Sequence, residues 1–364
     1  MSTGNKTFFL GYLHSFRGFA ILNIVAIHAF ALAGFMSSKN FNPNNPVSII
    51  NELLFHNSTI YFAVISGMLF IAVLKQKGYK AFFINKFEYV FLPYVFFTLA
   101  YSVFNNKSND WLALQPGLQD YLKELPRNFI YGKASFVFWY IPVLFFLYLV
   151  TPILDYLMKI KKWGIYLIAL IIAMPLIVRR VELDELMATD FLSLQTMVYF
   201  TGAYAAGMFI ADSMEKRLEW LRQNKRLLIG IAIVSTGGLL YITLHSIDMI
   251  GFFSVKSTLY YIQKIALSCM VLLFFKSLGE MQPKWLNPIA KSAFTIYFAH
   301  VFFLIIAMIN FTPIVQLMRY EKISPFNIIL AGGLLLLISI LLSIIFAWLF
   351  RKIFGKYSRM IVGS

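Results

Sequence analysis

The sequence predicts an all-α protein: a polytopic transmembrane helical bundle of about ten helices with both termini in the cytoplasm. Composition, recurring apolar runs and the placement of Lys and Arg each support this fold class. Hydrophobic residues make up 60% of the 364 residues and charged residues 13%, with a mean hydropathy of +0.73. Too little polar surface remains for a water-soluble domain, so the bilayer is the expected solvent.

Apolar runs long enough to cross a bilayer recur from end to end of the chain. They cover residues 12–34, 59–74, 88–104, 135–158, 163–178, 194–211, 227–244, 252–275, 292–310 and 325–350. We therefore expect one membrane domain over residues 1–364 with no appended soluble domain. The first run is too long and too lightly charged at its start for a cleaved signal peptide, so it should stay as a helix.

The basic residues test this count, because Lys and Arg concentrate on the cytoplasmic side of a membrane. Of the 32 Lys and Arg residues, 20 fall on the side that holds the termini and 10 on the opposite side. This bias holds at each crossing and favours an even number of helices. The net charge of +16 lies in short clusters rather than on one basic face, so nucleic acid is not an expected partner.

Two further features bound the chemistry. The single cysteine, Cys269, sits inside an apolar run, which excludes a disulfide framework and a thiolate metal site. We expect a small core residue there, and neither a metal nor a permanently bound cofactor. The outer segment 105–134 is long for a connection and could be a folded cap, a re-entrant segment or a plain loop.

Ionisable groups at membrane depth are costly, and the first helix contains two. Arg17 and His28 are eleven residues apart, which leaves an angular difference of about 20° and a separation of about 16 Å along the axis. A fixed charge near the cytoplasmic mouth suits a phosphate-bearing ligand, and a deeper imidazole can take a proton from a hydroxyl. An interface anchor and a packing residue explain the pair equally well.

Five motifs in order give the chain a family resemblance. They are HSFRGFA at residues 14–20 followed by His28, FAVISGML at 62–69, LPY at 92–94, FWYIPV at 138–143 with Thr151-Pro152, and SAFTIYFAH at 292–300. Together they resemble the acyltransferase 3 family, integral membrane enzymes that acylate hydroxyls, mostly on cell-surface carbohydrates. The resemblance spans nearly the whole chain.

This resemblance implies an acyl-CoA-dependent O-acyltransferase of the inner (plasma) membrane. Acetyl-CoA or another acyl-CoA would be the donor substrate, bound through Arg17 and Lys86. His28 would be the general base, and Arg17 would be a second catalytic residue. The acceptor would be a cell-surface or exported carbohydrate. Expected partners are therefore acyl-CoA, the carbohydrate and membrane lipids. The chain could also form a homo-oligomer or join a polysaccharide-synthesis complex.

The chain departs from the family pattern at one point. Where the family has two basic residues three apart before the third helix, this chain has Lys86 and then Tyr89, with Glu88 between them. A donor site built in a different way is expected there.

Six further residues are candidate substrate contacts. They are Ser66, Trp139, Tyr140, Lys264, Tyr297 and His300. Each has a structural alternative: close helix packing for Ser66 with Gly67, an aromatic belt for Trp139 and Tyr140, and core packing for Tyr297 and His300. An ammonium as deep as that of Lys264 should have a carboxylate or phosphate partner, or line water.

Other charged positions favour a structural interpretation. Glu88 and Asp155 lie near cytoplasmic helix ends, where residues that snorkel to the interface are common. Arg179 and Arg180 could meet an anionic glycan, but the acidic residues after them favour a solvated, salt-bridged loop.

The main alternative function is a polysaccharide or small-molecule transporter or exporter without acyl-transfer chemistry. Buried polar residues could line a path in such a protein. No matched pair of broken helices or inverted repeat, the usual sequence pointer to a transporter, is visible in the sequence.

Overall fold

The structure, a computed structural model, describes residues 3–37, 45–108, 118–180, 193–246, 249–250, 253–311, 314 and 324–364. These residues are mainly helical, with one antiparallel pair of two-residue strands, Met249–Ile250 and Phe253–Ser254. The chain divides into two compact units, one made of Met1–Ile65 with Ser213–Leu349 and the other of Ser66–Asp212 with Phe350–Ser364.

The helices of the N-terminal half are α1 (Thr3–Ser37), α2 (Pro46–Phe55), α3 (Thr59–Leu69), α4 (Gly78–Lys86), α5 (Leu92–Ser108), α6 (Leu118–Tyr131), α7 (Tyr140–Lys159) and α8 (Gly164–Ala173). Two π-helical segments, Phe70–Leu74 and Phe87–Phe91, extend α3 and precede α5. Short 3-10 turns follow at Lys75–Lys77 and Met174–Leu176.

The helices of the C-terminal half are α9 (Leu194–Asp212), α10 (Met214–Gln223), α11 (Lys225–His245), α12 (Val255–Ser277), α13 (Leu286–Lys291), α14 (Ala293–Asn310), α15 (Pro325–Phe354) and α16 (Ser358–Val362). A 3-10 turn at Gly355–Tyr357 separates the last two.

The core of the first unit is built around α1. Small residues of α1, Ala29 and Ala33, pack against Ala307 of α14 and Ala331 of α15, together with Val47 of α2. Small side chains let helix backbones approach closely, which is how helices associate in a membrane where the lipid is as apolar as the protein. This packing holds the middle of α1 inside the unit.

Helix α2 begins at a local sequence signal that the apolar-run analysis did not use. The side chain of Asn45 accepts a hydrogen bond of 2.9 Å from the backbone N–H of Val47, and Pro46 occupies the first helical turn. An Asn N-cap followed by Pro is a favoured helix start. As a result, residues between the first two predicted helices form a helix of their own.

In the second unit, α3 and α9 meet backbone to backbone. A Cβ added at Gly67 would lie 2.1 Å from the carbonyl oxygen of Tyr204, which is too close for any side chain. The glycine is therefore required at this crossing. The close-packing interpretation of the Ser66–Gly67 pair is confirmed.

Seven segments of the described residues are long and apolar enough to cross a membrane: Gly11–Phe35, Pro46–Val103, Tyr140–Lys159, Lys225–His245, Val255–Ser277, Ala293–Asn310 and Pro325–Val362. The second has 58 residues, which as one straight helix would be about 87 Å long, nearly three times the hydrocarbon core. It contains two of the predicted helices, and Gly78, with φ of 80°, breaks it.

The expected helices at 163–178 and 194–211 correspond to α8, a short apolar helix that continues to Leu176, and to α9. The exact count of ten and the cytoplasmic termini stay predictions. The apolar environment expected for Cys269 is confirmed, since the residue is buried in α12.

The outer segment 105–134 is helical where it is described. Helix α6 packs on α5, with the amide nitrogen of Asn128 donating to the hydroxyl of Ser102 at 3.1 Å. The plain-loop alternative is therefore wrong for residues 118–131. Several positions used in the charge argument lie outside the described residues, namely Lys39, Glu182, Asp184, Glu185, Asp190, Arg319 and Lys322.

The charge bias predicts which loops face outward, and cysteine labelling of intact cells tests it. In a Cys269→Ser background, Lys123→Cys on exposed α6 should react with an impermeant maleimide, and Lys356→Cys near the C-terminus should react only after lysis. Both positions are exposed on the protein surface, so a difference in labelling reports only the side of the membrane on which each lies. Labelling of Lys356→Cys alone in intact cells would contradict the predicted orientation.

Candidate active site

The N-terminal half of α1 is fixed against α13. A Cβ at Gly18 would lie 2.8 Å from the side chain of Leu286, so the glycine allows this approach. Arg17 Nη2 lies 3.3 Å from His14 Nδ1, and His14 Nε2 lies 2.9 Å from Asn287 Oδ1. Because Arg can only donate, His14 Nδ1 accepts and its Nε2 donates to Asn287. The half-buried guanidinium of Arg17 is thus positioned by a neutral imidazole.

The structure brings His28 and His300 together. Their ring centroids are 5.4 Å apart with an interplanar angle of 29°. The two residues come from α1 and α14, at positions 272 apart in sequence. This contact was not predicted, although both residues were candidates.

Backbone carbonyls determine the tautomer of His300. Its Nδ1 lies 2.9 Å from the carbonyl oxygen of Ile296 and 2.8 Å from that of Tyr297. Carbonyl oxygens only accept, so Nδ1 carries the proton and Nε2 keeps a lone pair. Nε2 is buried and has no hydrogen-bond partner among the described residues. His300 therefore presents a proton-accepting atom inside the protein.

The fixed position of His300 depends on α15 as well as on its own helix. The hydroxyl of Ser339 donates to the carbonyl of His300 at 2.9 Å, and both residues are fully buried. Tyr297 is 4% exposed, and its ring centroid lies 6.4 Å from that of His300. Tyr297 and His300 thus share one side of α14, as their spacing predicts.

A third imidazole, His56, carries a carboxylate partner. His56 Nδ1 lies 3.2 Å from Glu52 Oε2, and the hydroxyl of Tyr260 donates to Glu52 Oε1 at 3.0 Å. The ring of His56 lies 4.5 Å from that of Tyr260, and Lys256 Nζ is 3.5 Å from Glu52 Oε1. Helix α2, which His56 follows, packs on α1 beside His28, since Asn51 donates to the carbonyl of Ile27 at 3.0 Å. The first unit therefore contains a His56–Glu52 pair as well as the contact between His28 and His300.

Lys264 has a backbone partner that the sequence did not predict. Its Nζ donates to the carbonyl of Leu54 at 2.7 Å, and Gln263 beside it donates to the carbonyl of Leu53 at 3.1 Å. These carbonyls belong to the last turn of α2, where helix carbonyls lack intrahelical donors and a cation is favourable. The expected direct carboxylate or phosphate partner is replaced by this helix end, with the Tyr61 ring 5.6 Å away.

In the second unit, Lys86 lies at the end of α4 against aromatic rings. Its Nζ is 4.6 Å from the ring centroid of Tyr148 and 5.6 Å from that of Phe82. A π-helical segment follows directly, a feature frequent at functional sites. Lys86 is half-buried, so its ammonium is partly shielded from water.

The position where the chain departs from the family pattern has an unexpected neighbour. The guanidinium carbon of Arg359, in α16, lies 4.0 Å from the ring centroid of Tyr89. This is a cation–π contact, and it places an exposed positive group over the non-basic residue. The C-terminal helix α16 packs on α5 and on the preceding π-helical segment.

Trp139 and Tyr140 are buried inside the second unit rather than exposed as an aromatic belt. They are 7% and 2% exposed, and both rings pack on Phe200 of α9, at 5.6 Å and 5.3 Å. The guanidinium of Arg180 lies 4.5 Å from the Trp139 ring and is 8% exposed. The solvated-loop interpretation is therefore wrong for Arg180. Ser66, half-buried in α3, faces the hydroxyl of Tyr148.

Asp155 also corrects an expectation. It is 1% exposed, where a residue that snorkels to the interface would be open to water. Its carboxylate binds Lys75 at 2.7 Å and Lys159 at 2.8 Å and accepts a hydrogen bond from Tyr79 at 2.6 Å. The paired charges explain why burial is tolerated. This cluster ties α7 to α4 and to the 3-10 turn before it.

Two charged groups near the candidate residues were missed in the sequence: the Glu52–His56 pair and Arg359. Glu52 and His56 are four residues apart, the spacing of neighbours on one helix face, which could have revealed the pair had residues 46–58 been recognised as helical. Nothing local in the sequence indicates that Arg359 reaches Tyr89. In the part of the chain that the structure describes, no group of three or more His, Cys, Asp or Glu side chains could hold a metal ion.

Several long apolar helices, with two imidazoles in contact between them, define a multi-pass membrane protein. A family model, an acyltransferase domain, matches residues 10–351. The chain therefore belongs to the acyltransferase 3 family and is a membrane acyltransferase. No curated protein and no solved structure matches it.

Proposed function

We propose that this chain is an acyl-CoA-dependent O-acyltransferase of the inner (plasma) membrane. It moves an acyl group, acetyl in the simplest case, from CoA on the cytoplasmic side to a hydroxyl of a cell-surface or exported carbohydrate. The buried contact between His28 and His300, in a chain of this family, carries the proposal. Neither imidazole is needed for spanning a membrane, and both are costly there.

His28 acts as the general base. Attack of a hydroxyl on a thioester requires removal of the hydroxyl proton as the new C–O bond forms. His28 lies in the C-terminal half of α1 and is half-buried, so a substrate can reach it more readily than the fully buried His300. His300 donates from Nδ1 to two backbone carbonyls, so its Nε2 lone pair can accept a hydrogen bond. It thereby helps to position the substrate hydroxyl beside His28.

Arg17 and Lys86 bind the donor. CoA carries several phosphates, and a guanidinium binds phosphate oxygens through paired charge-assisted hydrogen bonds. Two features support Arg17: its orientation by His14 and its position eleven residues before the base. The role of Lys86 is supported by its position in a basic segment. Its ammonium lies over the Tyr148 ring and would attract a phosphate as a compact positive charge.

The acceptor carbohydrate contacts the aromatic residues. Trp139 and Tyr140 offer ring faces and polar groups of the kind that bind sugars, and the guanidinium over Trp139 suits an acidic one. Tyr297 and Ser66 supply hydroxyls, and Lys264 supplies an ammonium next to the ring of Tyr61.

Removal of the donor contact is the first test. Arg17→Ala should weaken CoA binding to the purified protein about 10- to 100-fold in calorimetry, because one charge-assisted interaction contributes about 1.5–3 kcal/mol. Arg226→Ala, at an exposed arginine of α11, is the matched control and should bind CoA as the wild type does. Unchanged affinity in Arg17→Ala would make Arg17 an interface anchor.

Removal of the base is the second test. His28→Ala should reduce acyl transfer by about 10²- to 10⁴-fold while acyl-CoA still binds, since general-base catalysis contributes about that factor. His300→Ala should have a smaller effect at equal expression.

Near wild-type turnover in His28→Ala together with loss in His300→Ala would place the base on α14 instead of α1. If neither substitution changed turnover, the result would support the transporter alternative.

A further inference from the structure

The reaction proposed above involves two proton movements, and His28 performs only one of them. As the hydroxyl oxygen bonds to the carbonyl carbon, the C–S bond breaks and the sulfur of CoA leaves with the electron pair. A thiolate released among buried side chains is an unsolvated anion, which is costly in a low-dielectric site. A second group that protonates the sulfur would lower this cost.

Among the clustered imidazoles, His56 has the geometry of such a group. Glu52 Oε2 lies 3.2 Å from its Nδ1, so that nitrogen donates to the carboxylate and the ring orientation is fixed. With Nδ1 engaged in this way, Nε2 is the ring nitrogen that can exchange a proton with a ligand. His300 has two backbone carbonyls in the same place, and carbonyls stabilise a charge less than a carboxylate does.

The other nitrogen of His56 is available for chemistry. Nε2 is buried and has no hydrogen-bond partner among the described residues. Leaving a buried polar atom without a partner costs about 1–3 kcal/mol, and such atoms in native structures call for an explanation. The end of α2 that carries His56 packs on α1 on either side of His28: Asn51 donates to the carbonyl of Ile27 at 3.0 Å, and the rings of Phe55 and Phe30 stack at 6.0 Å. A ligand that arrives next to His28 therefore lies close to this atom.

The remaining charged groups around His56 come from α12. Lys256 Nζ lies 3.5 Å from Glu52 Oε1, and Lys264 is held on the Leu54 carbonyl. Their positive charge stabilises an anion that develops beside His56. Tyr260 donates to Glu52 Oε1 and so keeps Oε2 directed at His56. The group as a whole favours transfer of a proton to a departing anion.

We propose that His56 is the general acid of this acyltransferase, with Glu52 as its positioning residue. His28 takes the proton of the attacking hydroxyl, and His56 Nε2–H gives a proton to the departing sulfur. The products are the ester and CoA as a free thiol. Transfer of the proton from His28 to His56 then restores the starting state, so no other reactant is consumed. This assignment rests on the proposed acyl-transfer function.

The leaving group provides the test. An acyl-CoA and its selenoester analogue have the same phosphates and acyl group, but a selenol is far more acidic than a thiol and leaves without protonation. His56→Gln should reduce transfer from the thioester by about 10²- to 10⁴-fold. With the selenoester, its rate should return to within about tenfold of the wild type. Glu52→Gln should show a smaller loss with the same recovery.

Two comparisons make the result specific. His28→Gln should lose activity equally with both donors, because the attacking hydroxyl is unchanged. His245→Gln, at an exposed histidine of α11 bonded to the Tyr241 carbonyl, should behave as the wild type. CoA binding by each variant shows that it is folded.

The outcomes separate the two proposals. Equal losses of His56→Gln with both donors, or no loss with either, would overturn the general-acid assignment while leaving the acyl-transfer function intact. Absence of transfer by the wild type from either donor would overturn the proposed function itself.

Discussion

The cost of placing an ionisable side chain inside a membrane protein determines where the polar residues of this chain lie. In the first unit, Glu52 is surrounded by His56, Tyr260 and Lys256, so both oxygens of this half-buried carboxylate have partners. These contacts also attach α2 to α12, because Glu52 lies in α2 and both Tyr260 and Lys256 lie in α12, about two hundred positions later in the sequence. The same group that makes the charge tolerable thus brings an oriented imidazole next to α1. Packing and chemistry in this unit depend on one carboxylate.

The second unit follows the same rule with a different result. Asp155 is neutralised by Lys75 and Lys159, both partly exposed, and no imidazole takes part. Such a group joins helices, and each oxygen of its carboxylate has a lysine ammonium within 2.8 Å. Lys86, which we propose binds the donor, lies elsewhere in this unit, and Arg359 covers Tyr89. A guanidinium from the C-terminal helix thereby stands at the position where the family pattern has a second basic residue in the local sequence.

Much of the fold could be predicted from the sequence, because each long apolar run must be helical to satisfy its backbone in lipid. The same argument could not find α2, whose ten residues are too few to span a bilayer and read as part of a loop. His28 and His300 were identified one by one, since an imidazole in an apolar run stands out. Their contact was not predictable, because it depends on which helices pack together. Glu52 and His56 were missed for both reasons.

The central claim is that the buried imidazoles serve acyl transfer and not passage of a solute. It is tested most directly with purified protein in sealed proteoliposomes, given acyl-CoA with a radiolabelled acyl group on one side and a soluble carbohydrate on the other. The account predicts that label appears as an ester on the carbohydrate, in proportion to free CoA thiol released. Passage of the carbohydrate across the membrane without ester formation or thiol release would contradict it.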